Sequence, residues 1–135
     1  MTLQFNLITP EKTLLSQAVE MVVVPGKEGD FGVMEGHMPL ISSIRPGVLE
    51  IYEGEKVVES IFISSGFAEA NNEKLTVLAH DAIPVKDIIL EEARAALKKA
   101  EEELLALEEK HPDRQHYEVK LHIAETMVIV RENYN

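Results

Sequence analysis

At 135 residues and 45% hydrophobic content, the chain can bury one real core and one small appendage, which excludes a disordered tail. Its net charge of −11 excludes nucleic acid as an expected partner, because phosphate binding rests on concentrated Lys and Arg; the lack of cysteine excludes disulfides and thiol chemistry. No apolar run approaches the ~18 residues of a membrane span, and Met1–Phe5 has neither the basic region nor the continuous apolar run of a signal peptide, so the inside of a cell or organelle is expected.

The first 79 residues read as short strands with turn signals between them. Leu3, Phe5 and Leu7 alternate with Gln4 and Asn6, the period of a half-buried strand. Val19 to Val24 is a β-branched run predicted to stop at Pro25-Gly26. Val48 to Tyr52 and Val57 to Ile63 flank Glu53-Gly54-Glu55, read as a hairpin loop. Phe67 to Ala70 and Leu75 to Ala79 flank Asn71-Asn72, residues that tolerate the left-handed backbone of tight turns. Short strands at this spacing predict an antiparallel sandwich or barrel.

The pattern changes at Ala82-Ile83-Pro84-Val85, because proline fits neither a helix interior nor a central strand. Domains are therefore placed at 1–85 and 86–135. Asp87 is the expected N-cap of a helix running to Glu109, roughly 35 Å long, with Glu91 and Glu92 near its positive end. Ile89, Ala93, Ala96, Ala100, Leu104 and Leu107 would share its packing face. Pro112-Asp113 breaks it after Lys110-His111. A second helix carries Tyr117, Leu121, Ala124 and Val128, although Met127 to Val130 would also suit a strand. Two helices across a short break predict an antiparallel hairpin whose Ala-rich seam buries little area.

Acidity concentrates in the β part. Residues 1–85 hold five basic and twelve acidic groups, 86–110 hold five and eight, and 111–135 hold three and four. The spacing of Gly26, Gly29, Gly32 and Gly36 is that of turns, since no Gly-Lys-Ser/Thr follows to make a phosphate cradle. His80-Asp81 is a candidate acid–base pair, but no nucleophile stands beside it, and a structural role is the expectation. Glu118, His122 and Glu125 share a helix face, yet metal sites usually draw ligands from more than one element, and no metal is assigned. Met21, Met34 and Met38 read as core filler or contact surface. No catalytic residue and no cofactor is assigned.

The segment Val23-Val24-Pro25-Gly26-Lys27-Glu28-Gly29-Asp30-Phe31-Gly32-Val33-Met34-Glu35-Gly36-His37-Met38-Pro39-Leu40 resembles the signature loop of the epsilon-subunit family of F-type ATP synthases. Ile44-Arg45-Pro46-Gly47-Val48-Leu49, Ser64 to Glu69 and Leu75 to Ala79 resemble further segments of that family in the same order, and Asp87 to Leu104 resembles its first C-terminal helix. The resemblance implies a β-sandwich followed by a helical hairpin, in a non-catalytic rotor subunit between the gamma subunit and the ring of c subunits. It implies a peripheral place on the cytoplasmic face of a bacterial inner membrane, in a proton-translocating complex.

The family loop facing the c ring would correspond to Glu28, Asp30, Gly36, His37 and Pro39. The hairpin would be a movable brake that, when extended, meets the alpha/beta head and brings Arg114, Lys120 and Arg131 near an acidic segment of the beta subunit. Some relatives bind ATP through an I/L-D-x-x-R-A motif. This chain has Leu90-Glu91-Glu92-Ala93-Arg94-Ala95, with Glu91 in place of Asp, so Glu91 and Arg94 are candidate contacts for ATP as a regulatory ligand, or simply an intrahelical ion pair.

Overall fold

The computed structural model describes residues 1–134. Strand β1, Leu3–Ile8, turns Leu3, Phe5 and Leu7 fully inward, as their alternation predicts, and its outward Gln4 and Asn6 bond to Ser16. Ser16 lies on β2, Thr13–Val19, which pairs antiparallel with β1. The run from Val19 to Val24 is not one strand. β2 ends at Val19 and β3, Met21–Gly26, begins after Glu20, whose carboxylate accepts the Gly54 N–H at 2.7 Å.

β3 ends at Pro25-Gly26 as predicted, with these as its last two residues and the Pro25 carbonyl accepting the Arg45 N–H at 3.0 Å. β3 then pairs with β4, Gly29–Met34, so most of the glycine-punctuated segment is a hairpin and only Glu35 to Pro39 is loop. β5, Leu40–Ile44, precedes β6, Gly47–Glu53, and β7, Lys56–Ile63; the β6–β7 turn is Gly54-Glu55, with Gly54 at φ +63°.

β8, Gly66–Ala70, and β9, Lys74–Ala79, form the next hairpin. No residue other than glycine has a positive φ among those described, so Asn71-Asn72 does not turn through the left-handed region. Instead the Asn71 side-chain oxygen accepts the N–H groups of Glu73 and Lys74 at 2.8 and 2.9 Å, a side-chain-closed turn. β10, Ala82–Pro84, ends the sheet as a three-residue edge strand on β7, a position that tolerates proline.

The strand order is β10-β7-β6-β3-β5-β8-β9-β1-β2, with β4 added to β3. Adjacent pairs are antiparallel except β1 with β9, which run parallel. β3 bonds β6 through Met21–Val23 but meets β5 only at Gly26↔Ile44, and there the path folds over. One core cluster then holds Leu49, Ile51 and Ile61 from one arm with Phe5, Leu75 and Val77 from the other, the two faces of a sandwich.

The chain divides into two compact units, Met1–Pro84 and Val85 onward. In the second, Asp87 closes a 3-10 turn, Val85–Asp87, and is not a cap; helix α1 is Leu90–Leu105, its N-cap position is Ile89, and no side chain caps it. At 16 residues α1 is about 24 Å long, not 35 Å. Its last turn has no basic residue to offset the carboxylates at the negative end of the dipole, which disfavours extension into Glu108-Glu109. Its packing face is narrower than the spacing predicts: Ala93 and Ala100 are buried, whereas Ile89 and Ala96 are exposed and Leu107 lies beyond the helix. Helix α2, Arg114–Glu132, packs on α1 and takes in Met127 to Val130, so that stretch is helix and not strand.

Gly66 sits at φ +152°, and a β-carbon there would lie 2.1 Å from the Leu78 carbonyl oxygen; Gly54 has a positive φ but open space. Gly66→Ala should therefore lower unfolding stability by about 2–4 kcal/mol, from clash and strain together. Gly54→Ala should lower it by about 1 kcal/mol, from conformation alone. Urea midpoints of the two variants test this, and equal losses would contradict the clash.

Candidate interaction sites

The five residues assigned by resemblance fall into two groups. Glu28 and Asp30 belong to the tip of the β3–β4 hairpin, which turns through Lys27-Glu28. A β-carbon on Gly26 would come within 2.7 Å of the Gly29 carbonyl oxygen and 2.8 Å of the Phe31 ring, and Gly29 has φ +135°, so both glycines are required by the turn. Arg45 ties this tip down: its guanidinium donates to the Gly26 carbonyl and to the Asp30 carboxylate, and Lys27 N–H donates to the Ser43 carbonyl at 2.9 Å. Asp30 is therefore already paired, while Glu28 is exposed.

Gly36, His37 and Pro39 stand on the loop after β4. Gly36, at φ +88°, donates its N–H to the Asn72 carbonyl at 2.7 Å, which pins the loop to the β8–β9 turn. His37 Nδ1 lies 2.6 Å from the Met38 carbonyl, so it carries the proton and donates. The length of β4 separates the groups by about 17 Å along the strand, and they form no single cluster. Met34 and Met38 are 56% and 77% exposed, so these two are not core filler.

An apolar row on the outer face of the sheet was not foreseen from the sequence. Adjacent pairings Phe67↔Leu78 and Leu78↔Ile8 place these side chains in line across β8, β9 and β1. Phe67 and Leu78 are 58% and 51% exposed, and a shallow groove of about 580 Å³ runs beside them past Pro10 to His80. The signal was present in Val77-Leu78: two successive apolar residues in a strand point to opposite faces, so one must face out.

His80 and Asp81 do pair, Nδ1 to carboxylate at 3.0 Å. Ser64 is buried, donates to the Asp81 carboxylate at 3.3 Å and accepts the Asp81 N–H at 3.1 Å, and it makes no hydrogen bond to the imidazole. Nucleophile and base are thus not in contact, and the arrangement fixes the β9–β10 corner. The hydrogen bond to Asp81, with its negative charge and that of Glu11, raises the His80 pKa above the ordinary histidine value. The proton stabilises the pair in the folded state, so this contribution is complete below the ordinary value and is lost as pH rises through the raised one. In an NMR titration Asp81→Asn should bring the His80 midpoint back down; a midpoint that does not move would exclude the pair as the cause.

In the second unit, Arg94 pairs with Glu132 at 2.9 Å and not with Glu91, which is exposed. Lys120 pairs with Glu103 and Arg114 with Glu118, each at 3.2 Å, and Arg131 donates to the Ile88 carbonyl at 2.7 Å with its guanidinium 5.5 Å from the Tyr134 ring centroid. Glu118 is thus engaged by Arg114, and no three metal-ligating side chains converge among the described residues, Glu118, His122 and Glu125 included.

The family model for the ATP synthase delta/epsilon chain β-sandwich domain matches residues 2–85. The chain is 47% identical over 127 residues to the ATP synthase epsilon chain of Paramagnetospirillum magneticum, covering 94% of this chain and 90% of that one. It is 48% identical over 103 residues to the epsilon chain of Rhodospirillum rubrum, covering 76% and 77%. A chain in the Euglena gracilis mitochondrial ATP synthase OSCP/F1/c-ring structure superposes with a TM-score of 0.78 at 28% identity, over 93% of this chain and 79% of that one. A chain of the Tetrahymena thermophila mitochondrial ATP synthase central stalk and c-ring structure has a TM-score of 0.64 at 12% identity over 97% of both, a likeness of fold. With its sandwich matched whole and its length matched by epsilon chains, the chain belongs to the ATP synthase epsilon chain family.

Proposed function

We propose that the chain is a non-catalytic subunit of a proton-translocating F-type ATP synthase, coupling the gamma subunit to the c ring at the foot of the central stalk. The observation that carries this is the outward apolar row of exposed Phe67 and Leu78 with half-buried Ile8, set across three hydrogen-bonded strands. A contiguous apolar row at the surface serves protein contact, and a load-transmitting subunit needs that contact on an element that does not bend. We assign this row to gamma.

The c ring takes the other contact, through Glu28 and Asp30 at one end of β4 and Gly36, His37 and Pro39 at the other. Two separated, backbone-pinned groups suit a repeating ring surface better than a single pocket does. The chain binds at the cytoplasmic face of a bacterial inner membrane, held there by its partners; among the described residues no helix is long and apolar enough to cross a membrane. The carboxylates Glu28 and Glu35 are exposed charges available to polar loops of the ring.

The hairpin is a brake on ATP hydrolysis, its extended form presenting Arg114, Lys120 and Arg131 to the beta subunit of the alpha/beta head. The reading of Glu91 and Arg94 as an ATP site has less support, because phosphate would have to displace Glu132 from Arg94. Phe67→Glu and Leu78→Glu should each weaken co-purification with gamma at least tenfold while leaving the fold intact by circular dichroism. Undiminished binding of both variants would reject the gamma surface. Truncation after Val85 should raise ATP hydrolysis by the reassembled complex, and an unchanged rate would leave the coupling role without the brake.

A further inference from the structure

Few residues of the two helices are fully buried, although Leu97, Leu104, Leu121 and Met127 are half-buried. Ala93 and Ala100 are the buried residues of α1 and Val128 that of α2, and an alanine methyl removes little apolar surface from water. Polar ties, by contrast, join the helices at both ends. Near the connecting loop, Lys120 Nζ meets the Glu103 carboxylate. At the open end, Arg94 meets the Glu132 carboxylate and Arg131 Nε donates to the Ile88 carbonyl.

Arg131 does something an ordinary surface ion pair does not. Ile88 is buried and precedes the first helical turn, so its carbonyl accepts no bond of the α1 ladder. The guanidinium satisfies it, and the bond is charge-assisted. The Tyr134 ring stacks near the same guanidinium and steadies it. Glu132, the next residue, carries the other tie, so two successive residues at the end of α2 hold both the start of α1 and the segment leading into it.

We infer that Arg131 and the Arg94–Glu132 pair form a clasp that sets how often the hairpin opens as a unit, while the apolar seam contributes specificity of packing. The carboxylates and the carbonyl held by Lys120, Arg94 and Arg131 are each replaceable by others, so opening is an exchange of partners for the same cations. A consequence rests on the brake reading: Lys120 and Arg131 can reach a beta subunit only after leaving Glu103 and the Ile88 carbonyl, so the closed hairpin masks its own contact residues.

Hydrogen exchange on the full chain, followed by mass spectrometry, tests the clasp without reference to any partner. Arg131→Met keeps the aliphatic stem and removes the donor; amides of α1 and α2 should then exchange about tenfold faster or more, with β1 and β9 amides unchanged. Glu132→Gln should accelerate the same helical amides two- to fivefold, and the double exchange Arg94→Glu with Glu132→Arg should restore protection. Complete loss of helical protection with the sandwich still protected supports the clasp. Unchanged helical exchange in Arg131→Met, or an equal rise in β1 and β9, overturns it. ATP hydrolysis is not read in these experiments, so a failed clasp and a failed brake are separate results.

Discussion

The sandwich turns on the backbone of Pro25-Gly26. In this one step β3 finishes its ladder with β4 at Gly26↔Gly29, makes its single pairing to β5 at Gly26↔Ile44, and gives both carbonyls to Arg45. That convergence leaves no volume for a side chain, which is why the Phe31 ring and the Gly29 carbonyl lie against the bare Gly26 α-carbon. If the corner opened, β5 would lose its one ladder pairing with β3, and the packing of the two faces would be loosened at that edge. Arg45 matters because a rigid guanidinium can serve the Gly26 carbonyl and the Asp30 carboxylate at once, where an ammonium would be less well matched to both.

The surface inherits its rigidity from that corner. The β3–β4 tip is fixed by Arg45 and by Lys27 bonding to Ser43, and the following loop is fixed by Gly36 bonding to Asn72. Neither group of candidate ring contacts is therefore a free loop. The apolar row of Phe67, Leu78 and Ile8 lies across three bonded strands, and Gly66 lets β8 approach β9 closely at the end of that row. Residues mounted on paired strands are positioned more precisely than residues on a loop.

What could be seen in the sequence follows from which signals are local. β1 was legible because Leu3, Phe5 and Leu7 bury one face and leave the other in water. β4 was not, since Gly29, Asp30 and Gly32 have no strand preference and only Val33 of the six is buried; pairing to β3 makes it a strand. The residue types of the candidate site were visible by resemblance, but not their separation along β4, and not Arg45, which finds Asp30 fifteen residues away in sequence. The end of α1 at Leu105 carries no glycine or proline signal, and the carboxylates at the negative end of the dipole are a weak and easily missed one.

The two units are held by different kinds of force. The sandwich encloses Phe5, Leu7, Leu49, Leu75 and Val77 without exposure, and apolar burial of that depth yields only by cooperative unfolding. The two helices have three fully buried residues and exposed charged ties, whose strength depends on screening and on competing partners. Interactions of the second kind can be exchanged one for another at small net cost, whereas a core cannot be exchanged piece by piece. A permanent joint calls for the first and a movable part for the second, so the proposed division between stalk coupling and control would draw on which residues are apolar and which are charged.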